Sequence, residues 1–304
     1  MRKLAFILTF VVFLMDCTGQ SSNQEIVEPF ENINHENYEL VVFIDDGILQ
    51  APNGLAFDGE HIYVVDTEQH YVFVYDIHGN YVKRIGNNEL EFTHPIAIAI
   101  SPIDGSLFVA DEMTGIIQMI RDGVLVREFV IDGIRYILDI EVDDENNLYA
   151  SVLDFVENNM KIYVFDNQGN RTDIGERKIG VLGRGLNNEI LFAQTYEVID
   201  NETVGSGANF FGRIENGELI KIADLPHRYT PTAIFARESG IYLFSHAFHQ
   251  LDVFDFEGNY VETLYENEPT ATNRGMWYII PFGNSFLITD NERGIIYKIR
   301  PVEG

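Results

Sequence analysis

His94, Asp139, Glu197 and His246 supply the nitrogen and oxygen donors that Zn2+ or Ca2+ would need, if the fold gathers them in one place. No short motif gathers them locally. The chain has no His-Glu-x-x-His segment for zinc and no Gly-x-Ser-x-Gly turn for a serine nucleophile. Gly180, Gly183 and Gly185 are not followed by the Lys-Ser/Thr of a phosphate loop. His246 and His249 flank Ala247-Phe248, and a surface histidine pair of this kind ordinarily holds no ligand. Trp277, the only tryptophan, opens a strand, which favours a ring-lining core role over sugar stacking. Tyr229 and Arg274 add polar contacts. What these side chains can do together depends on the elements that carry them.

Those elements repeat. From Pro52 to Ile85 the chain reads as four short strands, GLAF, HIYVV, YVFVY and YVKRI, separated by turns rich in Asp, Gly and Asn. A second copy runs from Pro95 through Leu107–Asp111 to the turn at Asp122-Gly123. A third passes Val142-Asp143 and Leu148-Tyr149 to Asp166 and Gly169, and a fifth runs from Pro231 to Asp255 and Gly258. The fourth, ending at Glu215-Asn216-Gly217, is the most degenerate. Gly180–Phe192 before it has no counterpart and reads as a long loop leading into that copy, either a lid or slack. The turn glycines Gly79, Gly123, Gly169, Gly217 and Gly258 recur at forty-odd residues, the period of a β-propeller blade. The sixth copy carries Asp290 and stops after three strands. Residues at about 38–44, YELVVFI, form a strand without a unit of their own, and placing it in copy six closes the ring. The expected fold is all-β: a six-bladed propeller of four-stranded antiparallel blades over 38–304. In it, the loops before each first strand and after each second strand crowd one face. That mouth is expected to hold Asn53, His94, Asp139, Glu197, Tyr229, His246, Arg274 and Trp277. Asp66, Asp111 and Asp290 recur at one repeat position and are expected to cap turns.

Composition narrows the partners. Twenty Lys and Arg face 48 Asp and Glu, a formal net charge of −28, which repels nucleic acid and tolerates cations, neutral glycans or basic proteins. The one cysteine forbids an internal disulfide framework. Met1-Arg2-Lys3 and the apolar run LAFILTFVVFLM resemble an export signal over residues 1–16, too short to span a bilayer comfortably. Cys17 resembles the lipid-acceptor cysteine of a bacterial lipoprotein, with Leu14 three residues before it and Asp16 replacing the small residue usual there. Residues 17–37 read as a polar tether. The expected location is therefore outside the cytoplasm, on a membrane held through lipidated Cys17.

The pattern Pro-x-Gly-Leu-Ala-x-Asp, then a strand ending in Asp66, then Val-Tyr-Asp-x-x-Gly, resembles the NHL-repeat family of six-bladed propellers over about residues 45–300. That resemblance implies kinship with exported propeller lipoproteins, ligand-binding modules, gluconolactonase-like hydrolases and peptidylglycolate lyases, across which fold and function are weakly coupled. Asn53 looks like the asparagine that gluconolactonase-like enzymes place on their metal. Their first-blade glutamate has no match, since Leu49-Gln50-Ala51-Pro52 contains no acid. With Asn53 added to His94, Asp139 and Glu197, the candidate metal set is Asn53, His94, Asp139 and Glu197, for Ca2+ or Zn2+; no other cofactor is indicated. The preferred expectation is a non-enzymatic scaffold binding a protein, peptide or glycan at the cell envelope. The alternative is a metal-dependent hydrolase or lyase at the channel mouth.

Overall fold

The structure, a computed structural model, describes residues 37–302 except 87–89, 133–135, 155–158, 176–177, 199–203, 206–208 and 268–274. It is the expected ring of six antiparallel blades, and no α-helix occurs among the described residues. Blade one runs outward from the axis as Pro52–Phe57, His61–Asp66, Tyr71–Asp76 and Tyr81–Ile85. The innermost strands of the other blades are Pro95–Ile100, Tyr136–Val142, Lys178–Arg184, Pro231–Arg237 and Met276–Phe282.

Blades stack face to face, so their middle strands are buried on both sides. This is why HIYVV and YVFVY are nearly continuous apolar runs. Val64, Val65, Val72 and Val74 are fully buried, whereas the outer strand Tyr81–Ile85 buries only Ile85. The core is consequently a set of seams between neighbouring blades. Val65, Val72 and Val74 meet Ile98 and Val109 between blades one and two, and Phe235, Tyr242 and Phe244 meet Phe286 and Ile288 between five and six.

Local turn chemistry sets the blade outline. Gly79, Gly123, Gly169, Gly217 and Gly258 all have positive φ, as the repeat requires. Asp76, Asp166 and Asp255 each accept a side-chain amide bond from Asn80, Asn170 or Asn259 and backbone N–H bonds two and four residues on, which together hold their carboxyls below the usual carboxylate range.

Blade four differs from the sequence reading. Gly180–Phe192 is not a loop. It comprises most of the inner strand Lys178–Arg184, a turn, and the start of the second strand Ile190–Val198. Its glycines serve close approach rather than mobility. A Cβ at Gly183 would sit 1.6 Å from the carbonyl oxygen of Ile234 in the inner strand of blade five. A short additional strand, Val204–Gly205, pairs with Ile190–Val198.

Closure falls to Tyr38–Ile44, which pairs antiparallel with Ile295–Pro301 as the outer strand of blade six. Glu39 and Arg300 add an ion pair across this seam at 2.8 Å. Ile44 is buried among Leu55, Ile62, Tyr75, Leu287 and Ile296, so it packs blade one against blade six. Ile44→Ala should lower the unfolding free energy by about 2–4 kcal/mol. Val42→Ala, on the same strand but 55% exposed, should stay within about 0.5 kcal/mol. Urea unfolding of the two variants checks this, and equal losses would mean that Ile44 does not anchor the seam.

Candidate functional site

The inner strand of every blade breaks register with its second strand near its first residues. Such bulges re-aim side chains. In blades one, five and six the residues passed over include Asn53, Thr232 and Trp277.

Much of that rim is scaffold. Asp66 accepts N–H bonds from Gln50, Ala51 and Gln69, and Asp111 from Thr93, His94, Met113 and Thr114. A buried carboxylate so encircled by donors orders the loops on either side of it. Other residues stitch neighbouring blades together. Thr67 Oγ1 donates to Pro95 O at 2.8 Å, and Thr195 Oγ1 to Pro231 O at 2.7 Å. Asn53 is committed at both ends of its amide: Nδ2 donates to Thr67 Oγ1, and Oδ1 accepts from Asn291 Nδ2 of blade six at 3.1 Å.

His94 lies 2.8 Å from Glu112, Nε2 to Oε1, with its ring 39% exposed. The hydrogen bond to Glu112 raises the His94 pKa against the opposing effect of burial. Asp139 faces the next blade: Oδ2 accepts from Leu182 N at 2.9 Å and Oδ1 from Ile140 N. Tyr278 reaches from blade six to blade three, its hydroxyl donating to Leu138 O at 2.9 Å. Burial, reinforced by Asp139, Tyr136 and Glu112, pushes this phenol well above its ordinary pKa.

Tyr278 borders a cavity of about 220 Å³ that follows the inner strands to their far ends at Phe57, Ile100, Arg184, Phe235 and Pro281. This concavity therefore belongs to the central channel and the face opposite the mouth. Asp139 and Glu141 both line it, two residues apart on one strand and hence on one face. Burial pushes Asp139 up to about 8, with Glu141 adding to the shift and the Leu182 N–H opposing it. Burial likewise raises Glu141 to about 7, eased by the Val142 N–H and by Arg184. Arg184 is held by Val142 O and Asp144.

The expected mouth residues thus separate. Asn53, His94 and Asp139 each have protein partners, and among the described residues no three His, Cys, Asp or Glu side chains gather as a metal would require. Glu197 lies in the second strand of blade four, opposite Lys178, with its side chain outside the described residues; Arg274 and Cys17 are also outside them. Tyr229 is not on the mouth surface. It is fully buried, its hydroxyl donating to Asp252 Oδ2 at 2.6 Å, because a core carboxyl between blades four and five needs a donor. His246 and Trp277 do meet, ring centroids 4.4 Å apart and edge-on, with Trp277 half-buried. His249 is 2% exposed, unlike an ordinary surface histidine, and burial lowers its pKa to about 4, assisted by His246. Sequence reasoning missed Glu141, which strand alternation from Asp139 would have found. It also missed Tyr278, whose cross-channel reach leaves no local signal.

No protein-family profile matches the chain, and no curated protein sequence does. Solved structures do match in shape. Virginiamycin B lyase from Staphylococcus aureus superposes with a TM-score of 0.64 at 11% identity, covering 87% of this chain and 100% of the lyase. A gluconolactonase-like protein gives a TM-score of 0.64 at 11% identity, over 90% of this chain and 96% of that one. The PQQ-bound aldose sugar dehydrogenase of Streptomyces coelicolor gives 0.61 at 12%, over 88% and 99%. At these identities the likeness establishes the propeller fold alone.

The channel carboxyls make stability depend on pH in a definite direction. Folded, Asp139 and Glu141 hold their protons up to about 8 and about 7, whereas unfolded they ionise at about 4. Between those values the folded chain binds more protons, so raising the pH lowers its stability. Glu141→Gln should flatten the fall between about pH 4 and pH 7. Urea unfolding across that range measures it, and a slope identical to wild type would refute the assignment.

Proposed function

We propose that this protein is an exported, lipid-anchored, NHL-like propeller that works as a non-enzymatic binding scaffold, presenting its mouth to a protein, peptide or glycan at the cell envelope. The observation that carries this reading is the commitment of Asn53, His94 and Asp139 to Thr67 and Asn291, to Glu112, and to the backbone of Ile140 and Leu182. Catalytic ligands would have to leave these bonds. A recognition surface has no such need, and it gains from a rigid rim carrying an accessible aromatic and an imidazole. Trp277 and His94 are those groups.

The charge of −28 supports a neutral or basic partner over a nucleic acid. The basic start, the apolar run and Cys17 support export and anchoring, with residues 17–37 as the spacer. The competing reading, a metal-dependent hydrolase or lyase, is supported by the names of structural neighbours and by Asn53 in Pro-Asn-Gly. It is weakened by the absence of an acid in Leu49-Gln50-Ala51-Pro52.

Anchoring is tested by fractionation. Cys17→Ala should move the protein from membranes to the soluble exported fraction, and continued membrane association of the variant would refute lipid anchoring. Recognition is tested with immobilised protein and detergent-extracted envelope. Trp277→Ala should retain at least about tenfold less of any component held by wild type, with an unchanged melting temperature. Equal retention by the two proteins would remove the mouth from the proposal.

A further inference from the structure

The turn of blade five between its second strand, Gly240–Ser245, and its third, Gln250–Phe254, departs from its sister turns in a way that the scaffold does not explain. In blades one, two and six the residue just before the third strand is His70, Gly115 or Gly294. All three have positive φ, and each N–H returns to the carbonyl of the aspartate that ends the second strand. Blade five has His249 in this place, with φ of 52°. Glycine is the low-strain residue for such a backbone, and two sister turns use it. His70 projects into solvent, which satisfies its ring, but His249 is buried.

Burial leaves His249 Nδ1 without a hydrogen-bond partner. Buried ring nitrogens are ordinarily paired, so an orphan one calls for an explanation, of which a bound water or ion is one. The residues that close the same turn, Ser245 and Gln250, are opposed across the strand pair and carry two more buried oxygens without partners. The neighbouring ring is His246, fixed edge-on by Trp277. Two imidazoles that each give one nitrogen to a shared ion at about 2.0–2.1 Å stand with ring centroids roughly 5–6 Å apart. Those of His246 and His249 are 5.5 Å apart.

We propose that His246 and His249 form a two-imidazole site for a divalent transition ion of borderline softness, such as Zn2+, Ni2+ or Cu2+, on the blade-five rim of the mouth. Imidazole nitrogen selects this class over Ca2+ or Mg2+, which take oxygen. Two protein ligands leave the remaining coordination positions to water or to a group carried by an incoming molecule. The site involves none of Asn53, His94, Asp139 or Glu197, and it stands whether or not the mouth docks a macromolecule.

Trp277 provides the readout, because it is the only tryptophan and touches His246. The full chain, free of any affinity tag and stripped with chelator, is titrated with Ni2+ at neutral pH in excess Mg2+, which occupies the acidic surface. The expected result is saturable quenching of tryptophan fluorescence at one ion per chain. His249→Gly restores the residue that Gly115 and Gly294 supply in the sister turns, and should weaken Ni2+ binding at least about tenfold. His246→Gln should do the same, while His70→Gly should leave binding unchanged. His249→Asn, also tolerant of positive φ, repeats the measurement should the glycine variant melt early. Absence of saturable quenching, its abolition by Mg2+, or wild-type affinity in the folded His249 variants would overturn the site.

Discussion

Each blade has two apolar faces, and only a closed ring covers both faces of all six. The fold therefore depends on the pairing of Tyr38–Ile44 with Ile295–Pro301. Glu39 and Arg300, which bond across this seam, are 261 residues apart. Bringing chain segments together over that distance costs about 5 kcal/mol of loop entropy. Burial of Ile44 contributes about 2–3 kcal/mol and each ladder hydrogen bond about 1 kcal/mol, so the seam offsets its own closure. The same pairing covers a sheet edge that would otherwise be free to recruit another strand.

Ring closure also explains why the mouth offers little free chemistry. Once the blades are packed, the polar groups between their upper ends must be satisfied by one another. Asn53 bridges Thr67 and Asn291 where the first and last blades meet, so the side chain that most resembled a metal ligand belongs to the closure. Thr67 and Thr195 serve the same purpose at two other junctions. Asp139 does so lower in the channel, where its carboxyl joins blade three to Leu182 of blade four.

Architecture was legible in the sequence because it is written in local chemistry. Asp76 to Asn80 specifies a turn through contacts four residues long, and its copies report the period. The loose strand at 38–44 was legible because the sixth copy lacked one. Blade four was misread where Gly180, Gly183 and Gly185 imitate a loop; the need for glycine at 183 comes from Ile234 of another blade, which no local window contains. The site was harder for the same reason. Tyr229 looks like a mouth residue until Asp252, from a different strand, is seen to hold its hydroxyl in the core. Residue type and repeat position assign each candidate to a strand or loop, but burial and partners across blades decide what it can do.

Buried polar atoms without partners occur in several blades, and blade five carries three of them at one turn. The junction of blades six and one is sealed by amide and hydroxyl bonds. Blade five, by contrast, presents His246, His249 and Trp277 beside Ser245 and Gln250, whose buried atoms lack partners. An unsatisfied polar group costs about 1–3 kcal/mol, so an arrangement that keeps several together is destabilising unless something outside the chain completes it. The channel carboxyls Asp139 and Glu141 answer the same constraint differently: each accepts backbone N–H bonds, and burial raises the pKa of both. On the blade-five rim three atoms without partners, on Ser245, His249 and Gln250, gather at one turn, and that is where the scaffold leaves room for a ligand.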